Sequence, residues 1–129
     1  MIGTKALGKS LILSIALVVT ACVNNPPTQA KSIDISSHVV GINHAIQVNN
    51  IRAIYSLEGL KVQVEARNHE GERNVLYYRI RWLDQNGMMM GQYLPWQSES
   101  FDGGQTSVFS VQAPSNQTAD FRLEIRPDY

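Results

Sequence analysis

From about residue 45 onward the chain alternates apolar and polar side chains with a period of two, broken at short intervals by Gly, Pro, Asn and Asp. That period belongs to strands with one face toward a core and the other toward water. The longest run, VLYYRIRWLDQNG from Val75 to Gly87, predicts a strand that stops in a tight turn. Leu76, Tyr78, Ile80 and Trp82 fall on one side, Tyr77, Arg79 and Arg81 on the other. Asp84-Gln85-Asn86-Gly87 supplies the turn, because Asn and Gly tolerate the positive φ of a reversal. The cleanest alternation lies in Leu60 to Arg67, with Leu60, Val62, Val64 and Ala66 inward and Lys61, Gln63, Glu65 and Arg67 outward. Ala45 to Leu57 changes phase at Asn49-Asn50, which predicts a bulge. Further strands are expected at Met88 to Tyr93, as the partner of the Val75 strand, at Ser107 to Ala113, at Phe121 to Arg126, and briefly at His38 to Gly41. Residues 94–104 read as irregular, with Trp96 plugging one end of the core, and Asn68 to Asn74 reads as a polar loop.

Short strands at ~10-residue spacing, with no helical periodicity outside the N-terminal apolar run, predict an antiparallel sandwich or barrel. A Trp near the end of a long central strand resembles immunoglobulin-like domains. The expected fold is therefore an all-β, immunoglobulin-like sandwich of six to seven strands over residues 38–129, without the cysteine pair of antibody domains.

The N-terminus reads as an address. Lys5 and Lys9 precede the apolar run Leu11 to Val19, which is too short to span a bilayer, since a span needs ~20 residues. Val19-Thr20-Ala21-Cys22 fits the bacterial lipobox pattern. That resemblance implies cleavage of a signal peptide over residues 1–21 and acylation of Cys22. Val23 follows where Asp would signal inner-membrane retention, which implies an outer-membrane lipoprotein facing the periplasm. The alternative is a secreted protein cut near Ala21, with Cys22 a free thiol. Residues 22–37 are rich in Asn, Pro, Thr, Gln and Ser and read as a flexible tether. Fully stretched, ~15 residues reach ~50 Å, enough to hold the module clear of a membrane.

Composition narrows the classes. At 129 residues the chain holds one domain at most. Without Lys5 and Lys9, nine basic residues face eleven acidic ones, which excludes the basic footprint of a nucleic-acid binder. The single cysteine makes no intramolecular disulfide.

Candidate chemistry is sparse. His38 and His44 precede or open the first long strand, His69 sits in a polar loop, and no Gly-x-Ser-x-Gly elbow occurs, so no Ser-His-Asp set is expected. Glu70 and Glu72 share one loop and Glu99 and Asp102 flank another, where carboxylates for glycan cleavage are conceivable but solvated acids are the plainer reading. Met88-Met89-Met90 suits Cu(I) by softness, but gap filling at a sheet edge explains it as well. Tyr77, Arg79 and Arg81 project from the central strand, and Arg122 and Arg126 from the last. If those strands are neighbours, they share a face with Glu124 that can take an acidic partner or a glycan carboxylate. Cross-strand ion pairs on a solvated face are the alternative.

YYRIRWLDQNGM at Tyr77 to Met88, Trp96, Gly104 to Thr106 and APSNQTADFRLEIR at Ala113 to Arg126 together resemble the YcfL family of small lipoproteins of enterobacteria and relatives. The resemblance runs from about Ile46 onward. Met89 and Met90 depart from its usual single Met. It implies an immunoglobulin-like sandwich in the periplasm with no assigned activity. The expectation is thus a non-catalytic, lipid-anchored envelope module with no cofactor or metal, binding an envelope protein or cell-wall component. The alternatives are a wall-acting enzyme using loop carboxylates and a Met-based Cu(I) binder.

Overall fold

The computed structural model describes residues 29–127 and Gly3. Apart from Gly3, the signal peptide expected over residues 1–21, Cys22 and the first part of the tether lie outside the described residues. In chain order come β1 (Lys31–Ser32), α1 (Ile35–His38), β2 (Val39–Val40), β3 (Ile46–Ser56), β4 (Gly59–Asn68), β5 (Asn74–Leu83), β6 (Gln97–Phe101), β7 (Thr106–Gln112) and β8 (Asp120–Ile125). They form two four-stranded sheets, ordered β1-β3-β4-β7 and β2-β8-β5-β6, which pack as a sandwich. Pairing is antiparallel except between β2 and β8. β2 falls in the brief strand expected at His38 to Gly41, and the two-residue β1 takes the total to eight, above the six or seven expected.

The alternation read from the sequence places the core. Leu60, Val62, Val64 and Ala66 of β4 face Leu76, Tyr78, Ile80 and Trp82 of β5 across the interior, and all eight are buried. Phe121, Leu123 and Ile125 of β8 and Phe109 of β7 complete the layer between the sheets. The register of β3 against β4 slips between Val48 and Asn50, as the phase change predicts. The bulge keeps Ile46 and Val48 on the same face as Ile51 and Ala53, and all four are buried.

Two expectations about where the elements lie fail, each for a local reason. Met88 to Tyr93 does not pair with β5 as a strand. Leu83 bridges Met89 and the Met90 N–H donates to the Trp82 carbonyl, but the chain then turns away at Gly91, whose φ is 72°. On the side of β5 away from β8 the antiparallel partner is β6, inside the stretch expected to be irregular, and its Phe101 is completely buried. The second concerns the tether. The folded part begins at Lys31 rather than His38, with Lys31 opposite Ala53 and the Ile33 N–H bonded to the Ile51 carbonyl at 2.9 Å. Ile33 and Ile35 pack on the core, an alternation hidden inside a polar average.

The two ends of the sandwich differ. One carries the Leu57-Glu58 turn between β3 and β4, the turn after β5, and the loop before β8. The other is closed by Asn68, fully buried at the end of β4. Its Nδ2 donates toward the carbonyls of Glu72 (2.7 Å), Asp102 (3.1 Å) and Phe101 (3.3 Å). Its Oδ1 accepts from the Glu70 N–H at 3.0 Å, so one amide joins both sheets.

Candidate functional site

The outer face of the β2-β8-β5-β6 sheet gathers the charged residues that the sequence singled out. β5 and β8 are neighbours, with Arg79 opposite Glu124 and Arg81 opposite Arg122. Side chains directly opposite one another in an antiparallel pair point the same way. The Arg126 N–H donates to the Tyr77 carbonyl at 2.9 Å, which brings the fourth guanidinium onto the same face. Tyr77, Arg79, Arg81, Arg122 and Arg126 are therefore assembled as the alternation implies.

Much of their charge is matched. Glu124, although buried, receives Arg79 Nε on Oε2 at 2.6 Å and lies 3.1 Å from Arg81 Nη2 through Oε1. Arg122 Nη1 donates to Asp120 Oδ2 at 2.9 Å and to the Phe121 carbonyl at 2.7 Å. Burial alone would push the Asp120 carboxyl up. The Arg122 hydrogen bond, the Phe121 N–H and the charges of Arg122 and His38 outweigh it and hold the group below its ordinary value of 3.8. Arg126 has no carboxylate partner among the described residues; its guanidinium lies over the Tyr77 ring, 5.7 Å from the centroid. Four guanidiniums thus share the face with two carboxylates.

Sequence reasoning missed the aromatic half of this face. The segment that leaves β5 at Gly91 folds back and places Tyr93 and Trp96 on the Arg79 guanidinium, each ring centroid 4.4 Å from Cζ. Trp96 therefore lies on the outer face and does not plug the core. Its neighbours Tyr93 and Leu94 are exposed, and so is Tyr77. A guanidinium between two ring faces is a favourable cation–π arrangement that fixes both rings. Leu94, Pro95 and Arg79 border a shallow cleft of about 260 Å³ that runs to Ser110 and Val111 of β7. The signal was present as Tyr93, Pro95 and Trp96 in one short loop, but no period links that loop to Arg79.

The other candidates separate. Glu70, Glu72 and Asp102 belong to the loops at the Asn68 end, whereas Glu99 sits within β6 opposite Leu76. The loop acids are exposed, and Glu70 accepts from Asn74 Nδ2 at 3.1 Å. Met88 and Met89 are exposed and Met90 packs on the core, so the three thioethers do not converge on one side. No group of three or more His, Cys, Asp or Glu suited to a metal occurs among the described residues.

One constellation was not expected. His38 Nε2 lies 3.1 Å from Asp120 Oδ1, and Ser37 Oγ lies 2.9 Å from His38 Nδ1. Nδ1 is equally close to the Asp34 carbonyl, which also accepts from Ser37 Oγ at 3.2 Å. A carbonyl only accepts, so a bond to it requires the proton on Nδ1, the nitrogen that a Ser37 nucleophile would need free. The ring packs 5.0 Å from Phe121. The arrangement fastens α1 to β8.

The sequence profile described as "Protein of unknown function (DUF1425)" matches residues 29–127. Two solved structures share the fold. A DUF1425 family member from Shewanella sp. pv-4 is 18% identical with a TM-score of 0.60, covering 80% of this chain and 93% of that one. Campylobacter jejuni cj0090 is 20% identical with a TM-score of 0.53, covering 68% of this chain and 93% of that one. No curated protein matches the sequence.

Proposed function

The chain belongs to the DUF1425 family, and from that premise we propose that it is a non-catalytic, lipid-anchored module of the bacterial envelope that holds an anionic partner on its arginine and aromatic face. In this reading it is a YcfL-type lipoprotein, acylated at Cys22 and carried on the periplasmic side of the outer membrane. The partner is an envelope protein or a cell-wall component that presents carboxylates.

The observation that carries the reading is the charge balance of the outer β5–β8 face. Four guanidiniums stand against Glu124 and Asp120, and among the described residues Arg126 has an aromatic partner and no carboxylate. Arg and exposed aromatic side chains are the residue types enriched where protein surfaces bind. Arg also pairs bidentately with carboxylates. The lipobox at Val19 to Cys22 supports the location.

Photo-crosslinking in intact cells tests this. A crosslinker replacing Tyr77 or Trp96 should capture an envelope protein or wall material. The same group replacing Val108, exposed on the opposite sheet, should not. Arg126→Glu should weaken the capture at Tyr77. Equal capture at Tyr77 and Val108, or none above background, would remove the proposal.

A further inference from the structure

The sandwich end with the Leu57 turn exposes apolar side chains at two separate tips. Leu57, in the turn between β3 and β4, is 99% exposed. Met88, in the turn after β5, is 65% exposed, and Met89 beside it is 42% exposed. The third loop at this end, residues 113–119, contains no charged residue. Asp84, the acid of the second turn, has its Oδ1 occupied by the N–H groups of Asn86 (2.9 Å) and Met88 (3.0 Å). A fully exposed Leu at a hairpin tip contributes nothing to the core. The turn itself is made by Gly59, whose φ is 104°.

The chain enters the fold at this same end. β3 runs toward the Leu57 turn and β1 is antiparallel to it, so residues before Lys31 lead back past Ile54. Ala30 borders a shallow cleft with Ile54 and Lys61. Eight residue steps separate Ala30 from Cys22, at most ~28 Å of chain. The eight steps of β3 from Ile54 back to Ile46 already take ~26 Å. An anchor at Cys22 therefore lets the Leu57 end meet a bilayer on a slack tether. The Asn68 end can reach it only with the tether taut along the whole molecule. The stretch that places residues 31–37 inside the fold shortens the tether to this extent.

We propose that Leu57, Met88 and Met89 form a membrane-docking tip by which the sandwich rests on the phospholipid surface that holds its anchor. The proposal rests on acylation of Cys22. Docking at this tip sets the strands upright on the bilayer, with the arginine and aromatic face turned along the membrane and the Glu70, Glu72 and Asp102 loops farthest from it. The contact is apolar insertion, since neither tip carries a basic residue.

The test uses the mature acylated protein in phosphatidylethanolamine–phosphatidylglycerol vesicles. Cysteines introduced as Leu57→Cys, Met88→Cys and Ile42→Cys each receive an environment-sensitive fluorophore. Ile42 is the decisive control: it is apolar and 68% exposed, but lies at the opposite end. With nitroxide lipids, the labels at 57 and 88 should be quenched several-fold more than the label at 42, and their emission should shift to the blue. Equal quenching at all three positions would overturn the docking tip. A blue shift at 57 without lipid quenching would mean that a protein surface covers the tip, and would overturn it too. Wild-type protein separates the two layers of the argument, because Cys22 is its single thiol. A blocked thiol with an unquenched label at 57 defeats the docking alone. A thiol that takes up maleimide defeats the anchor, and the docking falls with it.

Discussion

Asn68 is fully buried and polar, and its amide holds the Glu70–Glu72 loop and the Asp102 turn to one sheet end. Asn68→Ala takes a donor from the Phe101, Asp102 and Glu72 carbonyls and the acceptor from the Glu70 N–H; Asp102 keeps the Gln105 N–H and Glu72 keeps Asn74 Nδ2, so the fold should lose about 1–2 kcal/mol. Urea titration measures this, and limited proteolysis should then cut within residues 69–73. Glu124 is the second such residue. Glu124→Ala leaves Arg79 and Arg81 facing each other without a carboxylate, at a cost of about 2–3 kcal/mol, more than Arg81→Ala, which still leaves the Arg79–Glu124 pair. Asp120 gives a pH dependence. Its carboxyl is held below 3.8, so its contribution is present above that value and is lost as pH falls through the lower folded value. Asp120→Asn should therefore flatten the melting-temperature profile below about pH 4 relative to wild type. The cross-strand pairing of Glu124 was legible in the sequence, but its burial and the roles of Asn68 and Asp120 were not. Periodicity assigns Asn68 to a polar loop and Glu124 to a wet face. Burial of a polar side chain depends on partners distant in sequence: the Phe101 and Asp102 carbonyls lie 33 and 34 positions from Asn68, and Arg79 lies 45 from Glu124.

At the scale of elements the sequence was most readable where strands are half-buried. β4, β5 and β8 alternate as they pack, and the bulge in β3 is a phase change that can be counted. The arginine face followed from the same counting, once β5 and β8 proved adjacent. The stretch from Met88 to Phe101 was misread because its apolar residues do not alternate toward the core. Met90 faces inward, while Tyr93 and Trp96 turn outward onto Arg79. Residues 91–96 are held by ring contacts and by no strand pairing. Hydrogen exchange should separate the two halves. Amides of residues 92–94 should exchange roughly a hundredfold faster than those of β6 that bond to β5. Arg79→Ala should release Trp96 and shift its emission to the red, with little change at buried Trp82.

For the molecule as a whole, the consequential boundary is where folding begins. Composition averages residues 23–37 into a single polar tether, yet Ile33 and Ile35 are spaced to share a face and both pack on the core. β1 extends the β3 edge, and α1 reaches β8 through His38 and Asp120. This N-terminal strap therefore spans both sheets, crossing from the edge of one to the edge of the other. Just after the strap, Gly41 lies against β8: its φ is 95°, and a Cβ there would collide with the Ile125 carbonyl. A chain that starts at His38 should accordingly be less stable than one that starts at Gln29. The two partly buried isoleucines and the β1 pairing together suggest a loss of roughly 3 kcal/mol. The measurement is the urea midpoint of each chain, with Ile33→Asp in the longer chain as a check. That substitution keeps the length and removes the packing. If it matches the truncation, the strap contributes through burial. If it behaves like the intact chain, pairing of β1 with β3 carries the stability and the isoleucines are incidental.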